Sequence, residues 1–151
     1  MMPINVKVKI EDERLGKEFP LPKFETDGAS AIDLRAMIEQ PLLIVPGQRE
    51  LISTGIRVEL PEQVGMFILP RSGLGAKKGL VIGNLVGLID SDYRGIVYMS
   101  IWNTGSEDYT VEVGERVAQA CFMPTLKATF EYVDDLSDTR RASGGFGHTG
   151  K

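Results

Sequence analysis

Apolar and polar side chains alternate with a period of two along most of this chain, and turn residues break the alternation every few positions. Val6-Lys7-Val8-Lys9-Ile10 and Ile56-Arg57-Val58-Glu59-Leu60 are clear instances, and both read as half-buried strands. Thr110-Val111-Glu112-Val113 and Thr129-Phe130-Glu131-Tyr132-Val133 follow the same rule. Leu42 to Val45, Met66 to Leu69, Ile96 to Trp102 and Val117 to Met123 are more continuously apolar and fit inner strands. Val45-Pro46-Gly47-Gln48, Arg94-Gly95, Asn103-Thr104-Gly105 and Val113-Gly114-Glu115 supply turns between them. Turns at intervals of roughly 8–12 residues predict an all-β barrel or sandwich. No stretch carries a helical stripe, and Leu60-Pro61-Glu62-Gln63 would open a single turn at most.

Scarcity narrows the chemistry. The 151 residues include one Cys and one His, Cys121 and His148, so neither an internal disulfide nor a Cys/His zinc set can form. A Ser-His-Asp triad would have to run through His148, three residues from the end in a glycine-rich tail. Seventeen basic against 21 acidic side chains give a net charge of −4, which argues against a nucleic-acid-coating role. No apolar run approaches the roughly 20 residues that span a bilayer, and the first residues lack the apolar core of a signal peptide. The expected setting is a reducing cytoplasm, with no membrane partner. Cys121, between Ala120 and Phe122, reads as a core residue.

Four segments could carry chemistry. Pro70-Arg71-Ser72-Gly73-Leu74-Gly75-Ala76-Lys77-Lys78-Gly79 joins glycines, a hydroxyl, a guanidinium and two ammonium groups. That is either a phosphate cradle or a hairpin connection with solvated lysines; it lacks the spacing of a Walker loop. Gly87-Leu88-Ile89-Asp90-Ser91-Asp92-Tyr93-Arg94-Gly95 offers two carboxylates beside an aromatic ring. It is either an Asp-rich turn or a binding platform, and it lacks the ligands of an EF-hand. The tail, Ser143 to Lys151, contains a Gly-x-Gly-x-x-Gly pattern with no βαβ unit around it; it is a disordered terminus or a segment that closes over a ligand through Phe146. Gly28 to Ala36 places Asp33 among small residues, where it could simply pair with Arg35 at the surface.

Taken in order, these segments resemble the five motifs of the bacterial-type homotrimeric deoxyuridine triphosphate nucleotidohydrolases, the dUTPases. The motifs are Ala31 to Ala36, Pro70 to Gly75, Gly87 to Gly95 with Asn84 just before it, Gly114-Glu115-Arg116-Val117-Ala118-Gln119, and Arg141 to Gly150. The resemblance implies a jelly-roll-like β subunit in a threefold trimer, with active sites shared between chains. Residues 1–136 would form the barrel, and residues 137–151 an arm closing over a neighbour's site. The implied reaction is dUTP plus water giving dUMP and pyrophosphate, by attack on the α-phosphorus, with Mg²⁺ on the triphosphate. It keeps uracil out of DNA and supplies the precursor of thymidylate.

Residue by residue, the resemblance makes Asp90 the catalytic base, in contact with the 3′-hydroxyl and orienting the attacking water. Backbone groups between Asn84 and Tyr98, including Leu88 and Ile89, would match the uracil edge in a β-hairpin, and Tyr93 would lie under the deoxyribose. Arg71, Ser72, Gly73 and Gln119 would hold the phosphates. Asp33 would reach the magnesium through water, while Phe146 stacks on uracil and Arg141, His148 and Thr149 close over the phosphates. Asp92 takes no part in that pattern. The first motif departs from the family's Ala-Gly-x-Asp-Leu by holding Ala31 where Gly is usual, which would cost stability if that position needs positive φ.

Two other functions remain to be separated. dCTP deaminases share the fold but need a Glu at the pyrimidine, and none lies between Gly87 and Gly95. A non-catalytic nucleotide-binding trimer would have no use for Asp90, Tyr93 and Phe146 together.

Overall fold

A computed structural model describes residues 3–139, 141–143 and 145. Eleven strands and one short helix follow one another: β1 Lys7–Ile10, β2 Ile32–Arg35, β3 Leu42–Ile44, β4 Arg49–Ser53, β5 Ile56–Glu59, β6 Val64–Pro70, α1 Ser72–Lys78, β7 Leu80–Ile82, β8 Gly87–Ile89, β9 Tyr98–Asn103, β10 Tyr109–Val111 and β11 Arg116–Pro124. All pairings between strands are antiparallel. A four-stranded sheet, β2-β11-β6-β8, packs with a three-stranded one, β4-β9-β7; the ribbons β1-β5 and β3-β10 complete the jelly-roll-like fold.

Period-two burial builds the core. In β9, Met99, Ile101 and Asn103 are buried and alternate with Tyr98, Ser100 and Trp102; β2 and β5 alternate in the same way. Leu34, Met66, Ile68 and Ala120 from one sheet meet Ile52, Leu80, Ile82, Met99 and Ile101 from the other in a single apolar cluster. Fully burying side chains of this size is worth about 1.5–3 kcal/mol each. The two buried polar residues among those described are satisfied. Thr54 Oγ1 donates to Val97 O at 2.7 Å. Asn103 Nδ2 donates to Ile44 O and Glu107 O, both at 2.8 Å, and its Oδ1 accepts from Gly105 N. Asn103 thereby ties the end of β9 to β3 and the following turn.

Four expectations are corrected. Ser72–Lys78 is helical although no apolar stripe marks it. Its two glycines disfavour a helix and only Leu74 packs against the core, so its ends hold it. Gly75 N donates to Arg71 O, and the chain leaves through Gly79 in the left-handed region at φ 69°. Thr129–Val133 alternates but forms no strand: among the described residues no sheet edge pairs with it, and Phe130 and Tyr132 are exposed. β1 pairs with β5, yet all four of its residues are exposed, so none of the described residues covers its apolar face. Cys121 is half-buried on the outward face of β11 and is not a core residue. Ala31 lies outside the left-handed region, where Leu85 and Ala142 are the described non-glycine residues with positive φ. The missing motif glycine therefore costs nothing in backbone strain.

One ion pair fastens the N-terminal loop. Arg14 Nε and Nη2 hold Asp12 at 2.9 and 2.6 Å, while Arg14 Nη1 donates to Ile38 O. The side-chain bonds from Arg14 hold the Asp12 carboxyl below the usual aspartate range, against the opposing effect of burial. A lowered folded pKa stabilises the fold above the ordinary value near 3.9 and loses that contribution as pH falls through the folded value. Asp12→Asn should therefore lower the thermal midpoint at pH 6–7, with the difference closing as the pH falls below the ordinary aspartate value, as differential scanning calorimetry across that range would read.

Candidate active site

The residues singled out from sequence gather in two places. Asp33, Arg71, Ser72, Gly73 and Gln119 line one groove of about 430 Å³, together with Leu74, Lys77 and Lys78. Strand register brings them there: Gln119 in β11 stands opposite both Asp33 in β2 and Leu69 in β6. Arg71 and Ser72 follow directly where β6 passes into α1. Gln119 Nε2 donates to Pro70 O at 2.9 Å, which fixes the amide at the groove's wall.

Asp33 does not pair with Arg35, whose Nη1 instead donates to Gly114 O at 2.8 Å. Its carboxylate bridges two other guanidinium groups, Arg71 Nε at 2.8 Å and Arg116 Nη1 at 3.0 Å. Arg71 Nη1 also donates to Arg116 O at 3.0 Å. Two of the Arg71 donors are thus used to orient the fork, and Nη2 remains for a ligand. With Lys77 and Lys78 on the same wall, the groove carries more positive than negative charge and suits a polyanion. Arg116 is the residue that sequence reasoning missed. Its signal was present: it lies in the Gly114–Gln119 motif on the strand that pairs with Asp33's own. Tyr109 braces that motif, its hydroxyl donating to Glu115 Oε1 at 2.5 Å; burial and the neighbouring Glu115 push the phenol's pKa up.

The second set, Asn84, Leu88, Ile89, Asp90, Tyr93 and Tyr98, lies along the excursion between β7 and β9. The expected two-stranded hairpin from Asn84 to Tyr98 does not form. β7 pairs with β9 as far as Ile82 opposite Ile101, with one further bond from Gly83 N to Ser100 O at 2.7 Å, and β8 then crosses to pair with β6 in the other sheet. That crossing makes β8 an edge strand, leaving backbone groups of Gly87–Ile89 unpaired on one side. Leu85 enters it at φ 66°, a region unusual for a residue with a side chain. Asp90 and Tyr93 are exposed in the turn that follows.

The groove's lining contains no member of this second set. β6 explains the gap. Ile89 stands opposite Met66, so Asp90 lies beyond the Gly65 end of β6, whereas Arg71 leaves its other end. Six residues at about 3.3 Å each separate the two positions by roughly 20 Å. Arg141 sits in an exposed turn at residues 141–143, and Phe146, His148 and Thr149 lie outside the described residues.

Fold and groove together define an all-β protein with a basic, anion-accepting groove and an unpaired strand edge. The family model for dUTPase matches residues 17–150, and the chain belongs to the dUTPase family of enzymes. The deoxyuridine 5′-triphosphate nucleotidohydrolase of Psychromonas ingrahamii is 52% identical over 147 residues, covering 97% of each chain. That of Haemophilus influenzae is 50% identical over the same span. In solved structures, a Staphylococcus bacteriophage 80alpha dUTPase with dUpNHpp shares the fold at TM-score 0.84 and 23% identity, covering 97% of this chain and 99% of that one. Among the described residues no helix is long and apolar enough to cross a membrane.

Proposed function

We propose that this protein hydrolyses dUTP to dUMP and pyrophosphate at sites shared between the subunits of a cytoplasmic homotrimer. The observation that carries the shared site is the separation across β6. One subunit holds its phosphate groove and its Asp90 turn roughly 20 Å apart, farther than one triphosphate joins to its own sugar. A site complete in both halves therefore draws Asp90 from one copy and Arg71 from another. The exposed apolar faces of β1 and of residues 129–133 fit the same reading, since burial against a second copy would remove their cost in water.

In this reading, uracil reads its edge against the free backbone of Gly87–Ile89 and the start of β9 at Tyr98, with Asn84 at the entry. Uracil offers acceptor, donor and acceptor in turn, which peptide groups can match without a special side chain. A narrow throat there rejects the thymine methyl by clash. Tyr93 lies beneath the deoxyribose and excludes a 2′-hydroxyl. Asp90 contacts the 3′-hydroxyl and takes a proton from the water that attacks the α-phosphorus. Arg71, Ser72, Gly73 and Gln119 hold the phosphate chain, with Arg71 aimed by Asp33 and Arg116. Residues 137–151 act as an arm over a neighbouring site, with Phe146 on the base and Arg141, His148 and Thr149 over the phosphates.

A magnesium ion fits the groove as a companion of the substrate and not as a resident. Asp33 is the single acid among the lining residues, and no group of three or more metal-binding side chains is assembled among the described residues. Each Asp33 oxygen accepts one guanidinium N–H and keeps a lone pair for a metal-bound water. When bound, the ion neutralises charge on the triphosphate.

Purified protein incubated with Mg²⁺ and dUTP, dCTP, dTTP or UTP should release pyrophosphate from dUTP alone. Ammonia from dCTP would mean deamination, and silence on dUTP would mean a binding module.

A further inference from the structure

The turn that follows Asp90 is unusually well held. Tyr93 N donates to Asp90 O at 3.2 Å, the closure expected of a four-residue turn. Arg94 Nη1 reaches back to Ser91 O at 2.8 Å and Tyr93 O at 2.9 Å, while Arg57 Nη1 donates to Arg94 O at 3.0 Å. With the backbone fixed on both sides, the Tyr93 ring is placed by what it touches. Its hydroxyl donates to Ile96 O at 2.9 Å, which draws the ring across the turn and over Gly95.

A β-carbon at position 95 would overlap Tyr93 Oη and come within 2.5 Å of Cζ and 3.0 Å of Cε2. Gly95 does not have a positive φ, so its backbone makes no demand for glycine. The side chain is absent at the place where the ring lies.

We propose that Gly95 is a positioning residue for sugar selection: its missing β-carbon lets the Tyr93 ring reach Ile96 O and stand as the wall against a 2′-hydroxyl. The proposal rests on the reading of Tyr93 given above. A methyl group at 95 breaks the bond to Ile96 O and swings the ring toward solvent, where Tyr93 is already 41% exposed. The wall is lost while Asp90, five residues earlier, stays in place.

The test compares kcat/KM for dUTP and UTP in the wild type, Gly95→Ala, Tyr93→Ala and the double variant. Gly95→Ala and Tyr93→Ala should each narrow the dUTP/UTP ratio by about tenfold or more. Adding Gly95→Ala to Tyr93→Ala should change nothing further, because the clash has no ring to act on. A wild-type ratio in Gly95→Ala, with a narrowed one in Tyr93→Ala, would overturn the role of Gly95 and leave that of Tyr93 standing. An unchanged ratio in Tyr93→Ala would overturn both. An additional loss in the double variant would show that Gly95 acts through something other than the ring. If Gly95→Ala alone fails to fold, a folded double variant with the ratio of Tyr93→Ala still places the clash at the ring, and a double variant that also fails to fold overturns it.

Discussion

Asp90→Asn is expected to bind dUTP and leave it intact. The amide fills the carboxylate's space and can still meet a 3′-hydroxyl, but it takes no proton from water. General-base contributions run at about 10²–10⁴-fold, so kcat should fall by that factor. Asp90 is exposed in a turn built from backbone bonds and Arg94, so the substitution should leave the thermal midpoint unmoved. Single-turnover kinetics beside calorimetric titration with dUMP separates chemistry from affinity. An affinity loss of the same size, with turnover retained at saturation, would make Asp90 a binding group and return the search for a base to the groove.

Ending the chain at Arg140 should remove most activity while preserving the fold. The apolar cluster draws on no described residue beyond Phe122, so the barrel's stability has little reason to depend on the last residues. The site does depend on them in the proposed reading, since Arg141, Phe146, His148 and Thr149 supply stacking and charge over a bound triphosphate. Losing that closure should lower kcat/KM by at least about a hundredfold, the scale set by imperfect positioning of reacting groups. Sedimentation of the shortened protein provides the control. A smaller species than the full chain would mean that the segment holds subunits together instead of covering substrate.

What could be read from the residues divides along a physical line. Burial with a period of two is encoded locally and marks β5, while β9 reads as a more continuously apolar run; β2 alternates as well but is not among the strands the sequence marks. The same pattern in Val6–Ile10 and Thr129–Val133 says that one face prefers to leave water, but not whose surface receives it. Among the described residues nothing covers either face. Helix α1 escaped notice because its stability lies in its end contacts and one packed leucine, not in a stripe. Asp33 was recognisable as a motif residue, yet its partners were not. Arg35 is two positions away, whereas Arg71 and Arg116 come to it only through the pairing of β2, β11 and β6. The five ordered motifs carried the family. That two of them stand at opposite ends of one strand is a matter of register, which no motif states.

The length of β6 has a genetic consequence. If sites are shared between copies as proposed, two damaged copies should repair one another when each spoils a different end of that strand. In that reading a chain carrying Asp90→Asn would still lend an intact Arg71 groove to its neighbour, and one carrying Arg71→Ala would still lend its Asp90. Co-expressed, the two inactive alleles should yield mixed assemblies with measurable dUTP hydrolysis, while either expressed alone stays silent. Lesions at one end should fail to complement one another, sorting the chain's loss-of-function alleles into groups that follow the two ends of a single strand.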